Sequence, residues 1–272
     1  MSGAARRSLI IVGAGGLGRE TLAAVRAVHH AEVGERRARG DHRGRGLAPL
    51  EPVGFVDDAP ELAGTTVDGL PVLGPIEVLE TMLRRRQAAE VIIATGRPGG
   101  TSSRRVLSDR LRRFGATFAT VVHPAASLAV GTQVGEGSIL LAGVVTTAPI
   151  TIGRHIVAMP HVVFTHDDVI GDFTMFATRA SLAGAVHIED GAYVGAGALV
   201  RENVTIGARA TVGMGAVVLR DVPSDEVWVG NPARRLPAAP PVAARPRPAG
   251  PVRAAGLATR VTMTAVDLAG AR

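Results

Sequence analysis

Apolar side chains recur at every sixth position from residue 128 to residue 218, with no insertion or deletion. A helix repeats near 3.6 residues and a strand near 2, so neither predicts a period of six. A fixed short period over about ninety residues is typical of a solenoid, in which each coil buries its apolar face on the next coil. Only Thr146 and Ala158 interrupt the bulky side chains of this column, which comprises Leu128, Val134, Leu140, Thr146, Ile152, Ala158, Phe164, Ile170, Phe176, Leu182, Ile188, Val194, Val200, Ile206, Val212 and Val218.

A second inward column lies two residues before the first, because residues two apart on a strand share a face. Its members are mostly small or β-branched: Ser138, Val144, Ile150, Ile156, Val162, Ala180, Val186, Ala192, Ala198, Val204, Ala210 and Ala216. Glycines suited to corners follow the first column at Gly131, Gly137, Gly143, Gly197 and Gly215. Three units of strand and corner predict a coil of about eighteen residues, and roughly five coils spaced by ~4.8 Å predict a parallel β-helix. A β-sandwich with accidental spacing is the alternative.

Length and composition restrict the classes of function. A chain of 272 residues has room for two domains. The formal charge is +6, but there is one Trp, one Tyr and six Phe, so the basic residues are not interleaved with the aromatics typical of nucleic-acid binding. The absence of cysteine excludes thiolate catalysis and disulfides. No apolar stretch approaches the roughly twenty residues of a membrane span and the first eight residues do not resemble a secretory signal, which predicts a cytoplasmic protein without membrane contact.

The pattern of residues 8–122 predicts an α/β unit. A strand at 9–12 precedes a glycine loop and a helix at 21–28. Further strands are expected at 52–58, 90–96 and 116–122, with helices at 75–86 and 102–114, the latter with its arginines on the solvent face. Residues 29–50 lack periodicity and predict a mobile insertion. The predicted domains are therefore 8–122, 123–235 and a Pro/Ala/Arg-rich tail at 236–272 that is expected to be largely disordered.

The glycine loop contains G-x-G-x-x-G, formed by Gly13, Gly15 and Gly18. Such loops let backbone amides at a helix amino terminus approach a phosphate group. A dinucleotide-binding fold also places an acidic residue about twenty residues on, whereas the acids that end the next strand here are the more distant Asp57 and Asp58. The loop therefore favours a mononucleotide or nucleotide sugar over NAD, and a tight turn that only packs the helix on the sheet remains the alternative.

These motifs together resemble a known family. The order is Gly13–Glu20, then Gly54–Asp58, then His123-Pro124, then hexapeptide coils containing His166-Asp167. It is similar, over 8–235 without the insertion at 29–50, to the sialic-acid O-acetyltransferase and bacillosamine-type sugar N-acetyltransferase family. The resemblance implies a small Rossmann-like α/β domain that binds the nucleotide of the acceptor, followed by a left-handed parallel β-helix. It also implies a homotrimer with sites between neighbouring β-helices and acyl-CoA, most simply acetyl-CoA, as co-substrate with no permanently bound cofactor.

The resemblance assigns roles to individual residues. His166 matches the general base and Asp167 the second position of its pair. The acceptor-binding positions that match are Gly13, Gly15, Gly16, Gly18, Asp57 and Asp58. The acyl-CoA positions are Met175, Gly184, Gly195, Gly230 and Asn231, and the charge of Arg234 or Arg235 suits a contact with CoA phosphates. Met175 stands where the family usually has a second histidine, and Met159 where an asparagine is common, so the acyl group and the acceptor are left open.

His166 also stands out without the family. It lies two places after the inward Phe164, at a corner from which a side chain points outward. Direct acyl transfer to an amine or hydroxyl needs a base whose pKa is near neutrality, which suits histidine. Asp168 falls in the inward column, where a carboxylate is costly unless it has partners, and is a possible orienter of His166.

Two other functions fit the same fold. Trimeric β-helix carbonic anhydrases use histidines five residues apart, as His161 and His166 are, but His123, His155 and His187 miss the register of a third zinc ligand. A non-catalytic trimeric scaffold would tolerate the loss of the second histidine. The sequence favours an acyl-CoA-dependent N- or O-acyltransferase that acts on a sugar, or sugar-like, nucleotide-linked acceptor.

Overall fold

The computed structural model describes residues 7–39, 49–85, 89–96 and 101–237. In its amino-terminal part, strands alternate with helices. The elements are β1 (Arg7–Val12), α1 (Gly16–Arg39), β2 (Leu50–Val56), β3 (Thr66–Val67), β4 (Leu70–Pro71), α2 (Ile76–Arg84), β5 (Glu90–Ile93), α3 (Thr101–Arg112) and β6 (Thr117–Phe118), with a 3-10 turn at Pro60–Leu62. Four parallel strands form one sheet in the order β2-β1-β5-β6, and β3 pairs with β4 in a separate hairpin.

Strand β1 is apolar on both faces, as expected for a central strand of a parallel sheet that is covered on both sides. Leu9 and Ile11 pack into one core cluster, and Ile10 and Val12 into another. The first cluster continues onto the outer surface of the repeat region, and the second lies beneath α2 and α3. The amino-terminal sheet therefore has α2 and α3 on one face, and α1 together with the outer surface of the repeats on the other.

Helix α1 is much longer than the sequence predicts. It begins at Gly16 rather than residue 21 and continues to Arg39, so the predicted mobile insertion at 29–50 is wrong for 29–39 and for the first residue of β2. The physical reason is local propensity, since residues 29–39 contain alanine, glutamate and arginine, which favour helix even without an apolar period. Residues 40–48 lie outside the described part. No helix of the described residues is long and apolar enough to cross a membrane.

The repeat region is a parallel β-helix of very short strands. These are β7 (Val121–Val122), β8 (Gln133–Val134), β9 (Ile139–Leu140), β10 (Val145–Thr146), β11 (Thr151–Ile152), β12 (Val157–Ala158), β13 (Val163–Phe164), β14 (Val169–Ile170), β15 (Met175–Phe176), β16 (Ser181–Leu182), β17 (His187–Ile188), β18 (Tyr193–Val194), β19 (Leu199–Val200), β20 (Thr205–Ile206), β21 (Thr211–Val212), β22 (Val217–Val218), β23 (Val227–Val229) and β24 (Arg234–Arg235). Strands eighteen residues apart pair in parallel, so that Val157 is the partner of Met175 and Met175 of Tyr193.

The β-helix has three faces. The eight-stranded face contains β7, β9, β12, β15, β18, β21, β23 and β24; face D contains β10, β13, β16, β19 and β22; face E contains β8, β11, β14, β17 and β20. The strand predicted at 116–122 is instead two strands. β6 joins the amino-terminal sheet, whereas β7 pairs with β9 inside the β-helix. The repeats therefore begin at Val121, two residues before the predicted boundary.

The inward columns form the core as the period of six predicts. Phe164 and Phe176 are fully buried and pack edge to face with ring centroids 4.9 Å apart. The polar exception, Thr146, accepts a hydrogen bond from the Ala129 amide at 2.8 Å and lies 3.1 Å from the Thr132 hydroxyl. Its buried hydroxyl is thus satisfied, which explains why this position tolerates a polar residue.

Glycine alone does not make the corners. The predicted corner glycines do have positive φ, but so do corner residues with side chains: His155, His161, Asp167, Phe173, Arg179 and Ala185. Left-handed backbone costs a non-glycine residue about 1 kcal/mol or more, and the continuous core and strand pairing of neighbouring coils must offset it. A search for glycine alone therefore misses about half of these corners.

His155 is buried where α3 meets the β-helix. Its ring stacks on Phe173 at 4.8 Å and edge-on to Phe118 at 4.7 Å, and its Nε2 lies 2.9 Å from the Ser108 hydroxyl. Burial lowers the pKa of this imidazole to about 4. The ring is therefore neutral at physiological pH and acts as a packing residue between the two parts.

Acidification is expected to weaken this junction. Unfolded His155 takes up a proton as the pH falls through about 6.5, whereas the folded protein resists protonation down to about 4. Stability should therefore fall between pH 6.5 and 4, and relative to His155→Phe the wild type should lose on the order of 3 kcal/mol of unfolding free energy. Urea unfolding of both proteins across this window measures the difference. Parallel pH profiles would contradict the assignment.

Candidate active site

His166 lies at the corner between faces D and E, after β13 and before β14. Its Nδ1 is 2.9 Å from Oδ2 of Asp167, whose left-handed φ of 62° turns the chain at this corner. Both side chains are open to solvent, with 67% of the imidazole and 78% of the carboxylate exposed. The pair can therefore meet a substrate or a neighbouring subunit.

The Asp167 contact suits His166 for base catalysis. A carboxylate that accepts from Nδ1–H keeps the proton on that nitrogen and leaves a lone pair on Nε2. The same carboxylate stabilises the imidazolium that forms when Nε2 takes a proton. The pair thus has the arrangement that acyl transfer to an amine or a hydroxyl requires.

Gly184 supports the imidazole from the next coil. A Cβ at this position would lie 2.5 Å from Nε2 of His166 and would overlap Cε1 as well. The Ala185 amide next to it donates to the carbonyl of His166 at 2.9 Å. The sequence predicts that Gly184 contacts acyl-CoA. In the structure, the absence of a side chain at Gly184 leaves room for the His166 ring.

We expect Gly184→Ala to lower kcat by about tenfold or more while the protein stays folded, because the added methyl must displace the His166 ring and misplaced catalytic groups are costly. Steady-state kinetics and circular dichroism measure the two properties. The matched control is Ala185→Gly, since residue 185 has φ 58° and accepts glycine without overlap. Equal kcat values in the two variants would argue against a role for the imidazole position.

Asp168 has a different place from the one predicted. It is 3% exposed, and its two carboxylate oxygens accept from the amides of Thr165 at 2.7 Å and Val186 at 3.0 Å. Burial raises its pKa to about 6, against the opposing effect of these hydrogen bonds. Asp168 joins two coils beneath the corner, whereas the hydrogen bond to His166 comes from Asp167. The expected direct orienting role of Asp168 is thus not what the geometry shows.

A groove of about 580 Å³ runs beside the pair on face E. The groove is lined by Asp167–Ile170, by Pro149–Thr151 of the preceding coil and by Gly131 of the coil before that. Val169 is 48% exposed. The groove gives the His166 corner an open, partly apolar approach.

The glycine loop folds as its motif predicts. Gly13 has φ 103°, and a Cβ at Gly18 would overlap the carbonyl oxygen of Gly13, so α1 can pack this closely only without a side chain there. Gly15 and Gly16 lie on the more open side of the loop. The amide of Ala14 donates to Oδ2 of Asp57 at 2.8 Å. The structure therefore brings the predicted glycines and Asp57 together.

The two aspartates have internal partners. Oδ1 of Asp57 accepts from the Ala59 amide at 3.0 Å, and Oδ1 of Asp58 accepts from the Ile76 amide at 2.9 Å, at the start of α2. Each carboxylate thus holds a loop at the carboxyl edge of the sheet. Neither carboxylate contacts the His166 corner.

The strand order creates a crevice beside the glycine loop. Strand β2 is added on one side of β1, and the next strand, β5, is added on the other side. The direction in which strands are added therefore reverses between β1 and β5. Ligands of open α/β sheets bind at such reversals, beyond the carboxyl ends of the strands. Here the glycine loop faces Thr95, whose Cγ2 would lie 3.0 Å from a Cβ at Gly13.

Comparison with known proteins identifies the family. The Hexapep family, Bacterial transferase hexapeptide (six repeats), matches residues 185–220. The GDP-perosamine N-acetyltransferase of Escherichia coli O157:H7 is 33% identical over 235 residues, which cover 85% of this chain and 96% of that protein. The chain belongs to the hexapeptide-repeat sugar N-acetyltransferase family. This membership confirms the predicted enzyme class, an acyltransferase.

Solved structures of this acyltransferase family confirm the fold as a left-handed β-helix with an amino-terminal Rossmann-like domain. The acetyltransferase domain of PglB from Neisseria gonorrhoeae FA1090 has a TM-score of 0.70 and 25% identity, covering 85% of this chain and all of that one. A histidine-to-alanine variant of the Caulobacter crescentus GDP-perosamine N-acetyltransferase, in complex with CoA and GDP-perosamine, has a TM-score of 0.67 and 25% identity, covering 87% of this chain and all of that one.

Met175 of this acyltransferase does not lie near its own His166. It points out of the eight-stranded face towards the amino-terminal domain, where its Sδ would lie 3.1 Å from a Cβ at Gly96. Leu17 of the glycine loop is part of the same contact. Met159 packs into the same apolar cluster. Both methionines thus help to join the two parts of the chain.

Arg104 is the residue that sequence reasoning missed. α3 was expected to keep its arginines on the solvent face, but Arg104 is 1% exposed and donates to the carbonyls of Phe173 at 2.7 Å and Thr174 at 3.1 Å. Burial lowers its pKa to about 10, so it stays charged at neutral pH. No sequence signal distinguishes it from the neighbouring Arg105, which lies at the surface and pairs with Asp190.

The other predicted acyl-CoA residues lie away from the His166 corner. Gly195 and Gly230 follow strands β18 and β23 of the eight-stranded face, and Gly230 precedes the cis Asn231–Pro232 peptide. Arg234 donates to the carbonyl of Ala233 at 2.9 Å, and Arg235 pairs with Glu226 at 3.1 Å. Within one chain, face D therefore lies between Gly184 and these other predicted acyl-CoA residues.

Histidines and carboxylates of the described ranges include no group of three that could hold a metal ion. His161 and His166, the pair with the carbonic-anhydrase spacing, are both exposed. His161 lies instead against Gly143 of the preceding coil, where a Cβ would overlap its ring.

Proposed function

We propose that this acyltransferase moves an acetyl group from acetyl-CoA to the amino group of a nucleotide-linked amino sugar, with GDP-perosamine as the first acceptor to test. The observation that carries the proposal is the solvent-open pair of His166 and Asp167 at 2.9 Å, with Nε2 free to act. The acceptor is taken from relatives that carry GDP-perosamine in their names. We also propose that the reaction takes place in the cytoplasm.

The proposed reaction is a direct transfer. The acceptor nitrogen forms a bond to the acyl carbon while the carbon–sulfur bond to CoA breaks. Nε2 of His166 takes the proton of the attacking nitrogen and returns it to the departing sulfur, which leaves as the CoA thiol. Asp167 holds the imidazole and its transient charge. The products are an amide and a free thiol, and the enzyme returns to its starting state.

We assign the acceptor to the amino-terminal domain, 8–122, and the donor to the β-helix, 123–235. The crevice between β1 and β5 supports the first assignment, with Gly13, Gly15 and Gly16 presenting backbone to a phosphate. Gly18 and the aspartates shape that loop from within. The donor would extend from the His166 corner of one subunit to Gly195, Gly230, Asn231, Arg234 and Arg235 of a second subunit. Within one chain, face D lies between His166 and those residues.

A homotrimer is supported by the outer surface of face D. Its outward column is apolar at Val145, Val163, Leu199 and Val217, and Leu199 is 50% exposed. We expect Leu199→Arg to shift the assembly from trimer to monomer and to lower activity at least tenfold, because charge at the centre of an apolar contact is strongly unfavourable. Light scattering and specific activity at matched concentration measure both. A monomeric wild type with full activity would contradict the shared site.

Release of CoA thiol and mass spectrometry of the acceptor test the function together. Acetyl-CoA with GDP-perosamine should give stoichiometric thiol and a product heavier by one acetyl group. Hydroxyl-bearing nucleotide sugars without an amino group should give neither. Turnover of the hydroxyl acceptors in preference to the amine would reverse the assignment to N-acetylation.

A further inference from the structure

We infer that Asp168 is a positioning residue for the acyl transfer: its ionised carboxylate holds the backbone on both sides of His166 and so fixes the imidazole where it acts as the base. Asp168 acts through the backbone, whereas Asp167 contacts the imidazole directly. The inference rests on the proposed function, because it concerns the same base.

The first support is where the two carboxylate oxygens bind. Oδ2 accepts from the amide of Thr165, the residue directly before His166, at 2.7 Å. Oδ1 accepts at 3.0 Å from the amide of Val186 in the next coil. The residue before it, Ala185, donates its own amide to the carbonyl of His166 at 2.9 Å. Asp168 thus ties the corner that carries the base to the coil that packs on it.

The second support is that Asp168 replaces a hydrogen bond between strands. On face D, Thr147 and Ala183 occupy the position of Thr165 in the neighbouring coils, and their amides donate to strand carbonyls of the next coil at 3.1 and 2.9 Å. The Thr165 amide donates to Asp168 instead. Strands β13 and β16 accordingly pair at one position, whereas β10 with β13 and β16 with β19 pair at two. The carboxylate therefore takes over the backbone at the catalytic corner.

The third support is that packing gives no reason for a carboxylate at this place. The inward residues at the same position of neighbouring coils, Ile150, Val186 and Val204, are buried and apolar. Burial raises the pKa of Asp168 to about 6, so the cost of burying its charge exceeds what the two amide hydrogen bonds return. Among the described residues, Oγ1 of Thr165 is also buried without a hydrogen-bond partner. An apolar side chain would avoid the cost of the buried charge, so the reason for Asp168 lies at the corner it holds.

The charge of Asp168 is what holds both amides. An ionised carboxylate accepts on both oxygens, whereas a protonated carboxyl group uses one oxygen as a donor. Among the described residues, the charged or titratable side chains that face Asp168 are His166 and Asp167, and the neighbouring coils present backbone amides and apolar side chains. Because the pKa is raised to about 6, Asp168 is ionised near pH 8 and largely protonated near pH 5. The corner is therefore held firmly at the higher pH and loosened at the lower one.

The test compares kcat of the wild type and Asp168→Asn across pH, because a carboxamide has the shape of a protonated carboxyl group and one acceptor oxygen. At about pH 8, Asp168→Asn should lower kcat about tenfold and leave both KM values within about twofold, since a misplaced catalytic group is costly while the binding residues are unchanged. Near pH 5 the two kcat values should lie within about twofold of each other, because wild-type Asp168 is then largely protonated. The titration of other groups is shared by both proteins and cancels in the ratio.

Equal kcat values at pH 8 would overturn the inference, and so would a ratio that does not change with pH. Circular dichroism checks the fold of the variant. Asp168→Ser is a second variant in case Asp168→Asn does not fold, since it offers a neutral hydroxyl acceptor, and it should show the same dependence of the kcat ratio on pH.

Ser138→Ala is the matched control. Ser138 is also fully buried in an inward column, and its hydroxyl joins two coils by accepting the Ile156 amide at 3.1 Å, at a corner between face E and the eight-stranded face. This variant should have a lower Tm and keep kcat within about twofold of the wild type at both pH values. A loss of kcat equal to that of Asp168→Asn would overturn the inference, because loosening any coil would then have the same effect.

NMR signals of the His166 ring separate this inference from the proposed function. The ring signals of Asp168→Asn should differ from those of the wild type at about pH 8 and coincide with them near pH 5, and those of Ser138→Ala should coincide at both. A wild type that releases no thiol with any amino sugar would refute the proposed function, and the ring signals would still decide whether Asp168 positions His166. Ring signals that coincide at pH 8 in Asp168→Asn and the wild type would overturn the inference.

Discussion

Replacement of His166 by alanine is expected to lower kcat/KM by about 10²–10⁴-fold, the usual contribution of a positioned general base. The imidazole at this corner is largely exposed, and the Asp167 contact holds the proton on Nδ1 and leaves the lone pair on Nε2. Removal of an exposed side chain leaves the core intact, so the circular dichroism spectrum and the unfolding transition should not change. Thiol release under saturating acetyl-CoA measures the effect.

His30→Ala is the matched control, because His30 is also exposed but lies on α1 of the amino-terminal domain. This variant should keep wild-type kcat/KM. If His166→Ala retained full activity, the base would have to be another group, and the proposed function would lose its main support. A loss shared by both histidine variants would indicate a general effect on assembly.

Phe164→Ala is expected to lower the free energy of unfolding by about 3–5 kcal/mol, the range for truncating a buried aromatic residue. Phe164 is fully buried and contacts Phe176 in the coil that carries His166. The narrow interior of the β-helix cannot collapse to fill the cavity, because strand pairing above and below fixes each coil. Denaturant unfolding at matched protein concentration measures the change.

Val106→Ala serves as the surface control, since Val106 is 64% exposed on α3. Its unfolding free energy should stay within about 0.5 kcal/mol of the wild type. A loss in Phe164→Ala no larger than in this control would show that the hydrophobic column contributes little to stability.

The β-helix was predictable because its information is local and repeated. Each six-residue unit carries its own inward side chains, so a column such as Phe164, Ile170 and Phe176 is read directly from the chain. The same period located His166 on an outward corner. The extent of α1 was not predictable in this way, because its second half has helix propensity but no amphipathic period.

Roles that depend on packing between distant segments escaped the sequence. Asp168 was correctly placed in the interior, but its partners are backbone amides of two coils rather than His166. Arg104 is one arginine among several on α3, and only the docking of that helix on the β-helix selects it for burial.

The sequence by itself determined the solenoid, the glycine loop and the candidate base, since each depends on residues close together in the chain. The tertiary structure decided what covers each outward residue. Met175 and His166 are nine positions apart, yet the triangular coil turns them to different parts of its surface, and the amino-terminal domain covers only the part that carries Met175. A periodic pattern specifies which residues point outward, but what covers them is set by contacts between distant segments, such as those that carry Leu17 and Met175.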